Sequence, residues 1–150
     1  MAKLQSRTAP RSYRNRLATK RSDELFVKII QKLSVEKLYR DPKYTSQQLA
    51  TDLGTDTRYI AAAVAAHTDG GNFRTLINNL KLREACRMLR SPKFLGYSVE
   101  EIGLTSGFAS RQAFYLAFHR TYHTTPKSYR QKAMEMAKDG GCAEDILWAE

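Results

Sequence analysis

The chain has 150 residues, 42% of them hydrophobic and 27% charged, with a formal net charge of +10. That is enough apolar material for one compact domain, or two small ones around a shared helix, and it excludes a membrane protein, because no apolar run approaches the roughly 18–20 residues of a span. The positive excess favours a polyanionic partner through counterion release, with a merely soluble basic domain as the plain alternative.

The charge is unevenly placed. Residues 1–22 carry Lys3, Arg7, Arg11, Arg14, Arg16, Lys20 and Arg21 and no acid, whereas residues 139–150 carry Asp139, Glu144, Asp145 and Glu150 and no base. Pro10 and the lack of apolar periodicity make residues 1–21 read as a flexible basic arm. A basic start with no apolar stretch behind it is not a secretory signal, which predicts a cytoplasmic, nucleoid-associated protein.

A helix is predicted to begin at Ser22 as N-cap, with Asp23 and Glu24 in its first turn. Leu25, Phe26, Ile29, Ile30, Leu33 and Leu38 would form its buried face, and Pro42 would end it. Thr45 and Gln48 make a capping box for a short helix over 46–53, Gly54 permits a sharp turn, and Thr57 to His67 is the next helix. Asp69-Gly70-Gly71-Asn72 is a strong break. A long helix from Phe73 to Leu89 follows, with Phe73, Leu76, Ile77, Leu80, Ala85, Met88 and Leu89 on one side and Ser91-Pro92 closing it.

The same grammar then returns. Leu49-Ala50-x-x-Leu53-Gly54 recurs 53 residues later as Ile102-Gly103-x-x-Ser106-Gly107. Ser98 and Glu101 form a second capping box, Ser110 caps a helix reaching about Thr121, and Pro126 opens a last helix to about Lys138. With no sustained period-two alternation, the predicted fold is all-α, about seven helices in two helix-turn-helix subdomains joined by a long linker helix. The tandem domain would cover 22–138, as a first unit over about 22–72, the linker helix at 73–90 and a second unit at 91–138, with an acidic tail over 139–150. Two such units in a basic chain point to a protein that reads two adjacent stretches of double-stranded DNA.

Ser98-Val99-Glu100-Glu101-Ile102, Gly107-Phe108-Ala109-Ser110-Arg111, Phe114-x-x-x-Phe118 and Thr125-Pro126-Lys127-Ser128-Tyr129-Arg130 resemble the signature of the AraC/XylS family of bacterial transcription regulators. The resemblance covers about residues 23–132 and is most specific in its second half. Asp41-Pro42, Leu49-Ala50 and Gly54-Thr55 are similar to versions common in Bacteroidetes-type regulators. It implies two subdomains held rigidly by the 73–89 helix. Each would place its second helix in the major groove on one face of DNA, about 34 Å apart. Regulation, usually activation in this family, would follow from sitting beside a promoter and contacting RNA polymerase.

Matched to the family, Arg111, Gln112, Tyr115 and Leu116 face the groove. The arginine fork suits guanine O6 and N7, the glutamine amide suits adenine N6 and N7, and Leu116 suits a thymine methyl or plain packing. In the first unit the match gives Arg58, Ala61 and Ala62, where the family commonly has long polar side chains at the last two. An alanine methyl touches a thymine methyl at most, so Arg58 is the one strong reader there, whether the alanines are natural or substituted. Phosphate contacts are expected from helix N-termini near Ser46, Ser98 and Ser110 and from Arg74, Arg120, Lys127 and Arg130. Phe114 and Phe118 are read as core, and Gly103, where the family usually has alanine, as a site of closer helix packing or of softness.

No catalytic constellation, cofactor motif or metal site is legible. His119 and His123 lack a third ligand, and Cys86 and Cys142 have neither disulfide nor zinc spacing. The tail's Ile146-Leu147-Trp148 is a candidate partner contact or a frayed end. The chain, expected to be a monomer, has no room for a ligand-binding domain, so it is either a standalone regulator or the output domain of a longer sensor. Two alternatives share the scaffold: a protein-interaction module using the alanine-rich helix, and a nonspecific architectural DNA binder.

Overall fold

The structure, a computed structural model, describes residues 11–138. The first ten residues of the expected arm, the acidic tail, Cys142 and Trp148 lie outside the described residues. Among the described residues the fold is all-α, with no strand. The helices are α1 (Arg11–Val35), α2 (Ser46–Leu53), α3 (Thr57–His67), α4 (Phe73–Leu89), α5 (Val99–Thr105), α6 (Arg111–Tyr122) and α7 (Pro126–Lys138). Short 3-10 turns lie at Leu38–Arg40 and Pro92–Phe94. None of the described helices is long and apolar enough to cross a membrane.

Both ends of α1 differ from expectation. It starts at Arg11 rather than Ser22, so residues 11–21 are helical and Ser22 lies inside the helix with its Oγ buried and unpaired. Arginine, lysine, leucine and alanine sustain a helix by propensity even where apolar periodicity is missing, and Pro10 stands just before the first turn. The helix ends at Val35, well before Pro42, because Lys37 takes a left-handed φ of 51° and turns the chain into the 3-10 segment. Leu38 therefore belongs to that segment and not to the face of α1.

The chain forms two compact units. Of the described residues, the first comprises those up to Leu38 together with Lys43–Leu76. In it α1 packs on α2 and α3, burying Ile29, Leu33, Leu49, Ile60, Ala63 and Val64. Asp23, expected to serve a helix N-terminus, instead meets His67 Nε2 at 2.8 Å, while Phe26 stacks on the His67 ring at 4.2 Å. These contacts pin the end of α3 to α1. The break after α3 is made by Asp69 and Gly70, at φ 53° and 81°.

The second unit comprises Tyr39–Pro42 and the described residues from Ile77 onward. Its core joins Leu82, Met88 and Leu89 of α4 to Ile102, Phe114, Phe118 and Tyr129 of α5, α6 and α7. The rings of Phe108, Phe114, Phe118, Tyr122 and Tyr129 lie 4.9–5.8 Å from one another along a chain of tilted and edge contacts. Cys86 is buried in this core. Arg40, from the 3-10 segment, pairs with Glu84 of α4 at 2.9 Å.

Candidate nucleic-acid interface

Each unit presents a short helix, a turn and a second helix, and the capping chemistry expected from the sequence is in place. Thr45 Oγ1 accepts from the Gln48 amide at 3.2 Å while Gln48 accepts from the Thr45 amide at 3.0 Å. Ser98 and Glu101 make the same exchange at 3.1 and 2.8 Å. Ser110 Oγ accepts from the Ala113 amide at 3.1 Å at the head of α6.

The two copies fall out of step at the turn. Thr45 and Ser98, Leu49 and Ile102, and Gly54 and Gly107 are each 53 positions apart, whereas the N-caps Asp56 and Ser110 are 54 apart. The added position in the second turn lets Phe108 enter the core, 6% exposed and with its ring 5.2 Å from that of Phe114. From the N-caps onward, Arg58 corresponds to Gln112, Ile60 to Phe114, Ala61 to Tyr115, Ala62 to Leu116 and Val64 to Phe118.

Gly103 resolves into a packing requirement. A Cβ there would lie 2.4 Å from Phe114 Cδ2 and 2.6 Å from its Cγ, so α5 meets α6 with a ring where a methyl would stand. Gly107, at φ 110°, brings its backbone against that of Arg40.

On α6, Arg111 and Gln112 in the first turn and Leu116 one turn on are exposed, while Tyr115 is half-buried against the core. Arg111 does not stand alone. Its Nε lies 3.3 Å from Glu100 Oε1, and its guanidinium lies over the Tyr115 ring at 5.1 Å. The Tyr115 hydroxyl donates to the same Glu100 oxygen at 3.3 Å. The amide of Glu100 itself, and then Arg111 and Tyr115, hold the Glu100 carboxyl below its ordinary range. Glu100, Tyr115, Lys127 and Arg130 line one shallow hollow.

On α3, Arg58 is 83% exposed and forks onto its own N-cap, with Nε and Nη2 each 3.3 Å from an oxygen of Asp56. The Arg58 amide, donating at 2.8 Å, and then its guanidinium hold the Asp56 carboxyl below its ordinary range. Ala61 and Ala62 are exposed, next to Tyr59.

The candidate phosphate contacts are placed unequally. Arg74, Arg120 and Lys127 are exposed in the first turn of α4, the last turn of α6 and the first turn of α7. Arg130 is committed elsewhere: Nη1 donates to the Tyr97 carbonyl at 2.7 Å and Nη2 to the Phe94 carbonyl at 2.5 Å. Ser46 is the first helical residue of α2, with Thr45 as the cap, and the Ser98 amide is taken by Glu101. Sequence reasoning missed Glu100 and Asp56 as partners of the two arginines. Asp56 was legible as an acid two positions before Arg58, whereas the approach of Glu100 to Arg111 depends on how α5 meets α6.

Paired helix-turn-helix motifs with exposed arginines heading their second helices define a DNA-binding class of protein. The model of a helix-turn-helix domain family of the AraC type matches residues 49–132, more than half of the 150-residue chain. The chain belongs to the AraC/XylS family by its DNA-binding domain. It is a DNA-binding transcription regulator of that type, and its partner is double-stranded DNA. No match was found among curated proteins or solved structures.

Proposed function

We propose that the chain recognises a specific promoter sequence by major-groove readout and activates transcription there by contacting RNA polymerase. Arg111 and Gln112 lead the readout, at guanine and adenine respectively, with Tyr115 and Leu116 lining the same face. Arg58 is the reader of the first unit. Lys127, Arg74, Arg120 and the amides at the head of α6 behind Ser110 hold the phosphates. Arg130 braces the segment at Phe94 and Tyr97, so its part is to shape the unit.

The observation that carries this reading is the exposure of Arg111 and Gln112 in the first turn of α6, behind a capped N-terminus. A recognition helix approaches base edges most closely at its N-terminal turn. Selection of bound sites from a random DNA pool at near-physiological salt tests it. Enrichment is expected, dominated by a block that Arg111→Ala relaxes at one base pair, at a cost of about 1–3 kcal/mol. Lys127→Ala is expected to weaken all sequences alike. No enrichment, or equal losses on every sequence for both variants, would overturn specific readout. Loss of promoter-driven expression on deletion of the protein checks activation, and a rise would make it a repressor.

A further inference from the structure

We propose that Glu100 is a positioning residue that sets the base specificity of Arg111, turning its guanidinium from phosphate towards base edges. The proposal rests on the reading of Arg111 as a base reader. An arginine beside DNA is drawn to any phosphate, and that attraction carries no sequence information. Three side chains change this. Glu100 Oε1 lies 3.3 Å from Arg111 Nε and accepts from the Tyr115 hydroxyl at 3.3 Å, while Arg111 lies over the Tyr115 ring at 5.1 Å. Tyr115 is fixed in turn by the core, its ring edge-on to Phe114 at 5.9 Å. The arginine is thus located through Tyr115 and Glu100 from the interior of the unit.

The carboxylate also discriminates by charge. An anionic phosphate oxygen approaching Arg111 is repelled by Glu100 beside it, whereas guanine O6 and N7 are neutral acceptors and meet much less repulsion. Contact through Nε leaves the Nη pair as the fork that a guanine edge requires. Exposed ion pairs of this kind are weak, so exchange for a well-aligned base is not blocked. The side chains of Arg111 and Glu100 are 66% and 39% exposed, which puts the pair in that regime.

The test compares wild type, Glu100→Gln, Arg111→Ala and the double variant on the selected site, on sites changed at each base pair and on mixed-sequence DNA, across salt concentrations. Glu100→Gln is expected to tighten mixed-sequence binding and steepen its log–log salt slope by about 0.9. Its preference at the Arg111 base pair is expected to fall roughly 5- to 20-fold, part of what a bidentate arginine provides. In the Arg111→Ala background the same change should leave base preference untouched. Equal tightening on all sequences, or an effect on preference that persists without Arg111, would overturn the proposal. Arg111→Ala leaving every preference intact would instead overturn the reading beneath it. Tyr115→Phe removes the hydroxyl and keeps the ring. It should lower the same preference with no change in salt slope, and it tests the proposal even if Glu100→Gln fails to fold.

Discussion

At Gly54 an added Cβ would meet nothing within 4 Å, whereas at Gly107 it would stand 3.0 Å from the Cα of Arg40 and 3.4 Å from the Tyr39 carbonyl oxygen. The first helix of each unit repeats the contrast. Ala50 is an ordinary buried alanine, but its counterpart Gly103 is pressed against the Phe114 ring. The same motif is therefore built two ways. The first unit has an aliphatic core and an open turn, while the second has an aromatic core whose backbone positions are fixed by neighbours. Under the proposed reading, the unit with the richer set of base readers is also the one whose turn glycine is held against neighbouring backbone. That fits the need for a reader to be held at a defined distance from a base edge.

The largest effects that would sharpen this contrast are in the cores. Phe114→Ala is expected to destabilise by about 3–5 kcal/mol in chemical denaturation, against about 2–4 for its counterpart Ile60→Ala. A larger loss at Ile60 would reverse the comparison. At the turns, Gly107→Ala is expected to cost about 2–4 kcal/mol, combining an unfavourable backbone with overpacking, and Gly54→Ala about 1. Equal costs would mean that the approach of Arg40 constrains nothing. Next come opposite exchanges with the same sign: Ala50→Gly loses about 1 kcal/mol of helix propensity. Gly103→Ala, which by propensity would gain that amount, is expected to lose about 1–2 because the ring must move. A stabilised Gly103→Ala protein would show that Phe114 yields freely.

The smallest effect is pH-dependent and common to both units. Asp56 and Glu100 have folded values below their ordinary ones, so each contributes stability that is fully present above the unfolded carboxyl range, about 3.9–4.3, and is lost as pH falls through the lower folded value. Asp56→Asn and Glu100→Gln should each flatten part of the acid limb of the stability profile below about pH 4. An unchanged limb would break the idea that the amides and arginines around these two carboxyls favour their charged forms.

Most helix bounds were legible because their signals are local. The capping boxes at Thr45 and Ser98, the Ser110 cap, Gly54 and Pro126 each act within a turn of the chain, and the helices begin, or at Gly54 end, where they indicate. Where the signal is an absence, the reading erred. Missing apolar periodicity over residues 11–21 hid a helical stretch, and Pro42 marked a stop that Lys37 had already made. The one-residue slip between the units was present in the spacing of Ile60 and Phe114, but only burial says which apolar residues correspond. The Glu100–Arg111–Tyr115 arrangement was beyond sequence reading, since it depends on the angle at which α5 meets α6 across Gly103.

Cys86 has a practical consequence. It is 3% exposed, and burial pushes its thiol up to about 11, so the reactive thiolate is scarce while the second unit is closed. Only two cysteines occur in the chain, Cys86 and Cys142. In a Cys142→Ser background, alkylation of the remaining thiol becomes a stopwatch for one half of the molecule. Each modified chain records an episode in which that half came apart, while the half carrying α1, α2 and α3, having no cysteine, keeps silent.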